Sequence, residues 1–322
     1  MTVLVTGAGL IGRLTAERLG ARGDAVVLAD VRPPPPVAGD VTAVVADVTD
    51  FAALEAIVRT HGVTGIVHTA AMLSTGIRQD PRRGVEVNVL GTANVLEVAR
   101  QSGVARVVVA SSTTVTYSVF GSLGPEPIGE DVRMAVVSER PGSIYAATKL
   151  AGEHLALVYH DLYGLDTVVL RYGAVIGSDG GPSTSVPGRL LDGLIAAGRS
   201  GRTMVLDDPY LVWGGEEEFV DARDCADANV AALDASRPQA RVYTIATGRT
   251  VTLAGFVDAV RAVLPDLAVE CGPEPATGFA GFRHRRPAPS SPEAAARELD
   301  FRCRHDLTST IRWTAFGRAQ PT

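Results

Sequence analysis

Thr2-Val-Leu-Val-Thr6-Gly7-Ala8-Gly9-Leu10-Ile11-Gly12 is a short apolar run that opens straight into glycine-spaced residues, and a helical stretch, Arg13–Arg22, follows and closes at Gly23. An unbroken apolar run of this length reads as a strand buried on both faces. A strand, then Gly-x-Gly-x-x-Gly, then a helix is a specific order. The first two glycines permit a tight turn and close approach of a pyrophosphate, and the third lets helix and strand pack. The helix start offers free N–H groups to phosphate oxygens. Gly7, Gly9, Leu10, Ile11 and Gly12 are therefore expected to hold a dinucleotide.

Beyond the helix, Ala25-Val-Val-Leu-Ala-Asp30 is a second strand ending in an acid 18 residues past Gly12. A carboxylate there suits the adenosine ribose hydroxyls and repels a 2′-phosphate, which favours NAD over NADP, with Arg32 keeping NADP as the alternative. Arg32-Pro-Pro-Pro-Pro36 is a stiff irregular loop. The third strand ends in Asp47-Val48, beside the adenine if the sheet is doubly wound. The fourth, Gly65-Ile-Val-His68-Thr69-Ala70-Ala71, exits through small residues that let a dinucleotide approach, while His68 reads as a packed strand-end histidine. Arg83–Gln101 is a long helix. The fifth strand, from Ala105, emerges into Ser111, Ser112, Thr113 and Thr114, and hydroxyls at a strand's C-terminal end lie where α/β ligands bind. Gly121–Pro141 reads as a loop over the site, and the sixth strand ends in Arg171-Tyr172-Gly173. The expected fold is α/β: a doubly wound parallel sheet (Rossmann) over residues 1–173, with 216–247 returning to it. A smaller C-terminal substrate-binding lobe is built from 174–215 and 248–322.

Gly142-Ser-Ile-Tyr145-Ala-Ala-Thr-Lys149 carries the chemistry. It reads as a helix start, and positions i and i+4 share a face, so the phenol and the ammonium point into one space. Bringing a phenol from about 10 to about 7 takes roughly 4 kcal/mol. One cation at about 4 Å, in an effective dielectric of about 20, supplies that much, and a longer distance falls short. An oxidised nicotinamide would add a second positive charge. The pair suits acid/base work on an alcohol or ketone beside NAD.

The bulk numbers exclude other classes. The chain has 322 residues, 46% hydrophobic and 20% charged, as in ordinary globular proteins. A net charge of −6 argues against a general nucleic-acid binder. Cys225, Cys271 and Cys303 are widely spaced and odd in number, so they read as free thiols, and no metal-ligand spacing is present. No signal peptide or membrane span is visible, which makes the cytoplasm the default.

Taken together, these residues resemble the extended short-chain dehydrogenase/reductase family, the NAD-dependent epimerase/dehydratase group. The resemblance spans nearly the whole length. It rests on Val5–Gly12, Asp30, Asp47-Val48, His68–Ala71, Asn88-Val-Leu-Gly-Thr92, Ala110-Ser-Ser112, Tyr145–Lys149, Leu170-Arg171-Tyr172, Glu218–Asp224 and Val242–Gly248. It implies a catalytic set of Ser112, Tyr145 and Lys149. Tyr145 would transfer the proton, Lys149 would hold the nicotinamide ribose and lower the Tyr145 pKa, and Ser112 (or Thr113) would bond the reacting oxygen. Thr69, Ala70, Ala71, Asn88, Ser111 and Tyr172 would line the cofactor, with Asn88 alternatively a buried structural amide. Thr113, Arg171 and Arg286 would face the substrate, Arg286 matching a phosphate-binding arginine or else belonging to a solvated basic loop. The resemblance also implies a homodimer through the helices bearing Asn88 and Tyr145, with Leu150, Ala151, Leu155, Val158 and Leu162 as an apolar stripe that otherwise packs on the chain's own sheet.

Departures bear on the substrate. The glycine turn is one residue shorter than usual for the family. Gly173 and Ala174 replace a diphosphate-binding Asn, and Glu216-Glu217-Glu218 stands where Arg is usual and would repel a diphosphate. No Asp-Glu pair follows Ser112, which argues against 4,6-dehydration. His68–Ser74 and Arg171–Gly173 are similar to the short-chain threonine dehydrogenase branch. The expected function is thus hydride transfer at a secondary alcohol or ketone carbon of a sugar, sugar nucleotide or small polar hydroxy substrate. The alternatives are a nucleotide-sugar 4-epimerase with transient oxidation and a non-catalytic NAD-binding regulator.

Overall fold

The structure is a computed structural model that describes residues 1–317. Seven strands form its main sheet: β1 (Thr2–Thr6), β2 (Ala25–Asp30), β3 (Val41–Val45), β4 (Gly65–His68), β5 (Arg106–Ser112), β6 (Thr167–Tyr172) and β7 (Val242–Ile245). They run parallel in the order β7-β6-β5-β4-β1-β2-β3. Parallel neighbours need crossovers, and helices on both faces supply them. α1 (Leu10–Ala21) covers one face; α2 (Phe51–His61), α3 (Gly91–Ser102) and α4 (Ile144–Tyr163) cover the other. Covered on both sides, β1 and β6 are apolar nearly throughout, which is why they read as continuous runs rather than alternating ones. From β1 the chain winds outward to β3, then crosses to β4 and winds the other way. The switch point lies between β1 and β4, where Thr6 pairs with His68 and ligands bind in such sheets.

The C-terminal lobe has its own core. α5 (Val186–Ser200) packs Leu190, Leu191 and Leu194 against Trp213, Phe219, Phe256 and Phe279. Of the expected return over 216–247, the first part, Glu216–Asp221, does not join the main sheet. Glu216–Glu217 pairs antiparallel with Val251–Thr252, and Phe219–Asp221 pairs with Ala174–Ile176. The edge beside β6 is occupied by β7 (Val242 opposite Val169), so the return is made by β7 and by α6 (Ala222–Asp234), which packs Cys225, Ala228 and Ala232 on the sheet. The expected helix over 83–101 carries a π-turn at Glu86–Leu90, centred on Asn88.

Candidate active site

The glycine turn is built by close packing. Gly7 has φ +89°, and a Cβ there would lie 2.6 Å from the Ala70 nitrogen; a Cβ on Gly12 would lie 1.8 Å from the Gly7 carbonyl oxygen. A Cβ on Gly9, by contrast, would meet nothing within 4 Å. Thr69 donates to the Thr6 and Gly7 carbonyls (2.8 and 3.1 Å) and so fixes the turn from β4. The first bond within α1 runs from the Arg13 N–H to the Gly9 carbonyl, and Gly9 gives no side-chain cap, so the Leu10, Ile11 and Gly12 amides are the donors the helix leaves unused. Asp30 accepts from the Ala8 N–H at 2.8 Å and the Arg32 N–H at 3.1 Å, keeping lone pairs for ribose hydroxyls. Open space over Gly9, unused amides and a strand-end carboxylate fit a dinucleotide. Asp47 is more committed: Thr49 donates to it at 2.9 and 2.8 Å and Arg83 forms an ion pair with it. Burial works to raise its pKa, and these partners hold it below the usual carboxylate range.

Ser112, Tyr145 and Lys149 converge at the C-terminal edge of β5. Ser143 caps α4 by accepting from the Ala146 N–H at 3.1 Å, which sets the helix start beside the strand exit. The Ser112 hydroxyl lies beside the Tyr145 phenol and accepts from the Thr114 N–H and hydroxyl at 3.2 and 3.1 Å. The Lys149 ammonium lies 5.9 Å from the Tyr145 ring centroid and donates to the Ala110 carbonyl at 2.9 Å. Both residues are partly exposed at the rim, while their polar tips are enclosed. Burial pushes the phenol up to about 12, with the neighbouring Ser112 hydroxyl offsetting part of that. The expected lowering by Lys149 is therefore not met in the protein alone, because desolvation outweighs an ammonium that spends itself on a carbonyl. Burial also brings Lys149 down to about 8, against the pull of the Glu153 carboxylate.

Several expected ligands are otherwise engaged. Arg171 does not face an open cavity: it forks onto Glu153 (2.7 to 3.2 Å) and donates to the Glu130 carbonyl at 2.6 Å. Ser111 donates to the same Glu153 at 2.5 Å, so its hydroxyl is committed to this pair. Tyr172, one residue beyond Arg171, points to the opposite face as strand alternation requires. Its hydroxyl donates to Asn229 at 2.7 Å. The Asn88 amide exchanges hydrogen bonds with the Met72 backbone (2.8 and 3.0 Å) and donates to Thr148 at 3.0 Å, so it pins the β4 exit to α4. His68 sits between the Thr6 and Thr92 hydroxyls (2.7 and 3.0 Å), and burial holds it neutral, at about 3.

Arg286 is neither a free phosphate ligand nor part of a solvated loop. Its side chain is 1% exposed, donates to Glu217 at 2.7 Å, lies 3.6 Å from Glu218 and packs over the Tyr117 and Phe120 rings. The acidic residues expected to repel a diphosphate thus neutralise this arginine inside the protein. Thr113 and Ser118 carry the buried side-chain polar atoms, among the described residues, that find no hydrogen-bond partner; the Thr113 hydroxyl lies near Tyr117, outside bonding geometry. A cavity of about 650 Å³ is lined by the Ser122–Glu139 loop. The sequence reading missed Glu153, although it lies four residues past Lys149 on the same helical face. It also missed that Lys149 is the chain's only lysine among 30 lysines and arginines.

The model of the NAD-dependent epimerase/dehydratase family matches residues 3–246. The solved UDP-glucose 4-epimerase of Thermus thermophilus, a complex with NAD, superposes with TM-score 0.76 at 31% identity over 98% of both chains. A UDP-glucuronate 4-epimerase of Thermodesulfobacterium geofontis is 38% identical over 143 residues, 44% of this chain and 41% of its own length. Mitochondrial L-threonine 3-dehydrogenase of Sus scrofa is 32% identical over 206 residues, 61% of this chain and 52% of its own. The matches to these curated relatives thus span about half of their length or less. With the family's model covering most of the sequence and the fold shared end to end, the chain belongs to the NAD-dependent epimerase/dehydratase family.

Proposed function

We propose that the chain is an NAD-dependent oxidoreductase acting at a secondary alcohol or ketone carbon, with Tyr145 as the proton-transferring group. The observation that supports this is the meeting of Ser112, Tyr145 and Lys149 at the C-terminal edge of the sheet, the edge from which the glycine turn also leaves. The Leu10, Ile11 and Gly12 amides would hold the pyrophosphate and Asp30 the adenosine ribose, a carboxylate that disfavours NADP. Bound there, NAD supplies the hydride acceptor. With its phenol protonated at neutral pH, Tyr145 can donate to the oxygen of a ketone, and Ser112 orients that oxygen through a second hydrogen bond. In the oxidative direction Tyr145 must first release its own proton to solvent, which positive charge nearby favours, and the phenolate then takes the alcohol proton; Lys149 at about 8 is still mostly protonated at neutral pH. Net oxidation and transient oxidation followed by epimerisation share this step. Tyr145→Phe should lower turnover by about 10²- to 10⁴-fold while leaving NADH binding intact. Retained turnover would remove Tyr145 from the mechanism.

We also propose a homodimer in the cytoplasm. Val85, Leu90, Val158 and Leu162 are 46 to 68% exposed around the helices that carry Asn88 and Tyr145, apolar surface that a second copy packed there would remove from water. Leu150 and Leu155 on the same helix are half-buried. Sedimentation should give a dimer at micromolar concentration, and Leu162→Glu should shift it to monomer; a monomeric parent protein would refute the interface. The three thiols are unpaired, as in a reducing compartment. Among the described residues no helix is long and apolar enough to cross a membrane.

A further inference from the structure

Lys149 is enclosed in a low-dielectric site, where an ammonium tends to lose its proton. Among the groups that touch its surroundings, one anion stands close, four residues on along the same helix: Glu153, whose side chain is 1% exposed. That carboxylate is held from two directions. Ser111 at the end of β5 donates to one oxygen at 2.5 Å, and Arg171 of β6 forks onto both oxygens at 2.7 to 3.2 Å. The third nitrogen of Arg171 reaches the Glu130 carbonyl at 2.6 Å, and the Glu130 carboxylate accepts from the Thr244 N–H of β7 at 2.9 Å. A bidentate pair fixed at both ends has little freedom to turn, and loss of either partner strands a buried charge.

We propose that Glu153 is a positioning residue for the reaction: clamped by Arg171 and Ser111, it keeps Lys149 charged and holds α4 so that the ammonium stays at the Ala110 carbonyl. The same clamp anchors the Glu130 loop, so the loop over the site and the helix beneath it move as one unit. The other titratable or charged groups facing Lys149 are Tyr145 on its own helix, His68 on β4 and Arg171 beyond Glu153. His68 is held neutral, and Arg171 opposes the charge of Lys149 from beyond Glu153, on the far side of the carboxylate. This assignment rests on the proposed role of Lys149 in catalysis, yet it can be tested separately.

Because the chain has one lysine, an amine-acylating reagent marks only Lys149 and the N-terminus, and these fall on different peptides. Labelling of the full-length protein across pH, read by mass spectrometry, therefore titrates Lys149 directly. Glu153→Gln should move half-maximal labelling down by about one pH unit. Replacing the ion pair as a whole, by Glu153→Gln with Arg171→Met, strands no charge; it keeps the measurement available should the single variant fail to fold, and it too should lower the midpoint. Glu153→Asp, which keeps the charge, should restore the midpoint to within about 0.3 units of the parent. A midpoint that stays put in either folded neutral variant overturns the proposal. If the midpoints shift as expected while the parent protein turns over no alcohol with NAD, the pairing stands and the enzymatic reading falls.

Discussion

Arg286→Leu separates a buried structural cation from a ligand-binding one. The guanidinium lies 2.7 Å from Glu217 and 3.6 Å from Glu218, and both carboxylates are almost fully enclosed. Burial works against its charge, and the two carboxylates raise its pKa above the ordinary arginine value. Removing one partner of a buried pair typically costs about 3–5 kcal/mol, because a charge is left uncompensated. Here the carboxylates keep other donors: Glu218 accepts from the Gly248 N–H at 2.6 Å and the Ser290 N–H at 3.0 Å, and Glu217 from the Glu218 N–H at 2.8 Å. The expected loss is therefore at the lower end, about 3 kcal/mol, out of a total of about 5–15 kcal/mol for a domain. Urea unfolding at constant slope measures it. The effect should also depend on pH. Glu218 already has a pKa above the usual carboxylate range, from burial, with Arg286 as the largest opposing influence. Without Arg286 it rises further, so the folded variant binds a proton more readily than its unfolded chain. A group raised in the folded state adds stability as pH falls through its folded value, so the deficit should shrink between about pH 8 and about pH 5. A loss below about 1 kcal/mol at neutral pH, or one that does not change with pH, would refute the buried triad. It would restore Arg286 as a side chain free to meet a substrate phosphate.

Two further outcomes follow from the geometry. Gly9→Ala should fold with the parent's urea midpoint but bind NADH at least about tenfold more weakly, since its Cβ enters space the protein leaves open where the pyrophosphate is expected; Gly12→Ala should fail to fold, its Cβ lying 1.8 Å from the Gly7 carbonyl oxygen. NADH fluorescence and urea unfolding read the pair, and normal NADH affinity in Gly9→Ala would move the cofactor elsewhere. The buried His68, held at about 3 against an ordinary 6.5, stays neutral in the folded chain while the unfolded chain takes up a proton below about 6.5. Stability should therefore fall as pH drops, by up to about 1.4 kcal/mol per unit between those values. His68→Gln should remove that part of the slope, and an unchanged slope would mean that His68 is protonated in place.

The sheet, its winding and the helix bearing Tyr145 were legible because each rests on local pattern: apolar runs closed by glycine turns, and Tyr and Lys on one helical face. Within the expected return over 216–247, the stretch Glu216–Asp221 was misplaced because a short β-run does not say which edge it joins; that depended on β7 taking the place beside β6. The engagements of Arg171, Ser111 and Tyr172 were illegible for a related reason. Neighbours on a strand point to opposite faces, and which face meets the crevice is set by the helices packed above and below. Arg286 was misread because a basic loop in sequence gives no sign that two acids some seventy residues earlier fold onto it. The phenol's ionisation was misjudged for a different reason: the attraction of Lys149 can be estimated from spacing, whereas desolvation depends on the enclosing walls.

The choice of cation across the chain bears on how the site works. Among 30 lysines and arginines, 29 are arginine, and Arg171 on Glu153, Arg286 on Glu217 and Arg106 on Asp166 all make pairs in which a permanent charge and a planar fork are the useful properties. An arginine stays charged whatever encloses it, so burial cannot tune it. An ε-ammonium can be tuned, and the one lysine occupies the position where burial brings it to about 8 and a clamped carboxylate opposes any further fall. A cation within about a unit of neutral pH responds to charge changes on its neighbours, such as the gain or loss of the Tyr145 proton. The arginine fork then has a second effect: by fixing Glu153 it fixes how far Lys149 can be pushed, so the rigid ion pair sets the working range of the adjustable one.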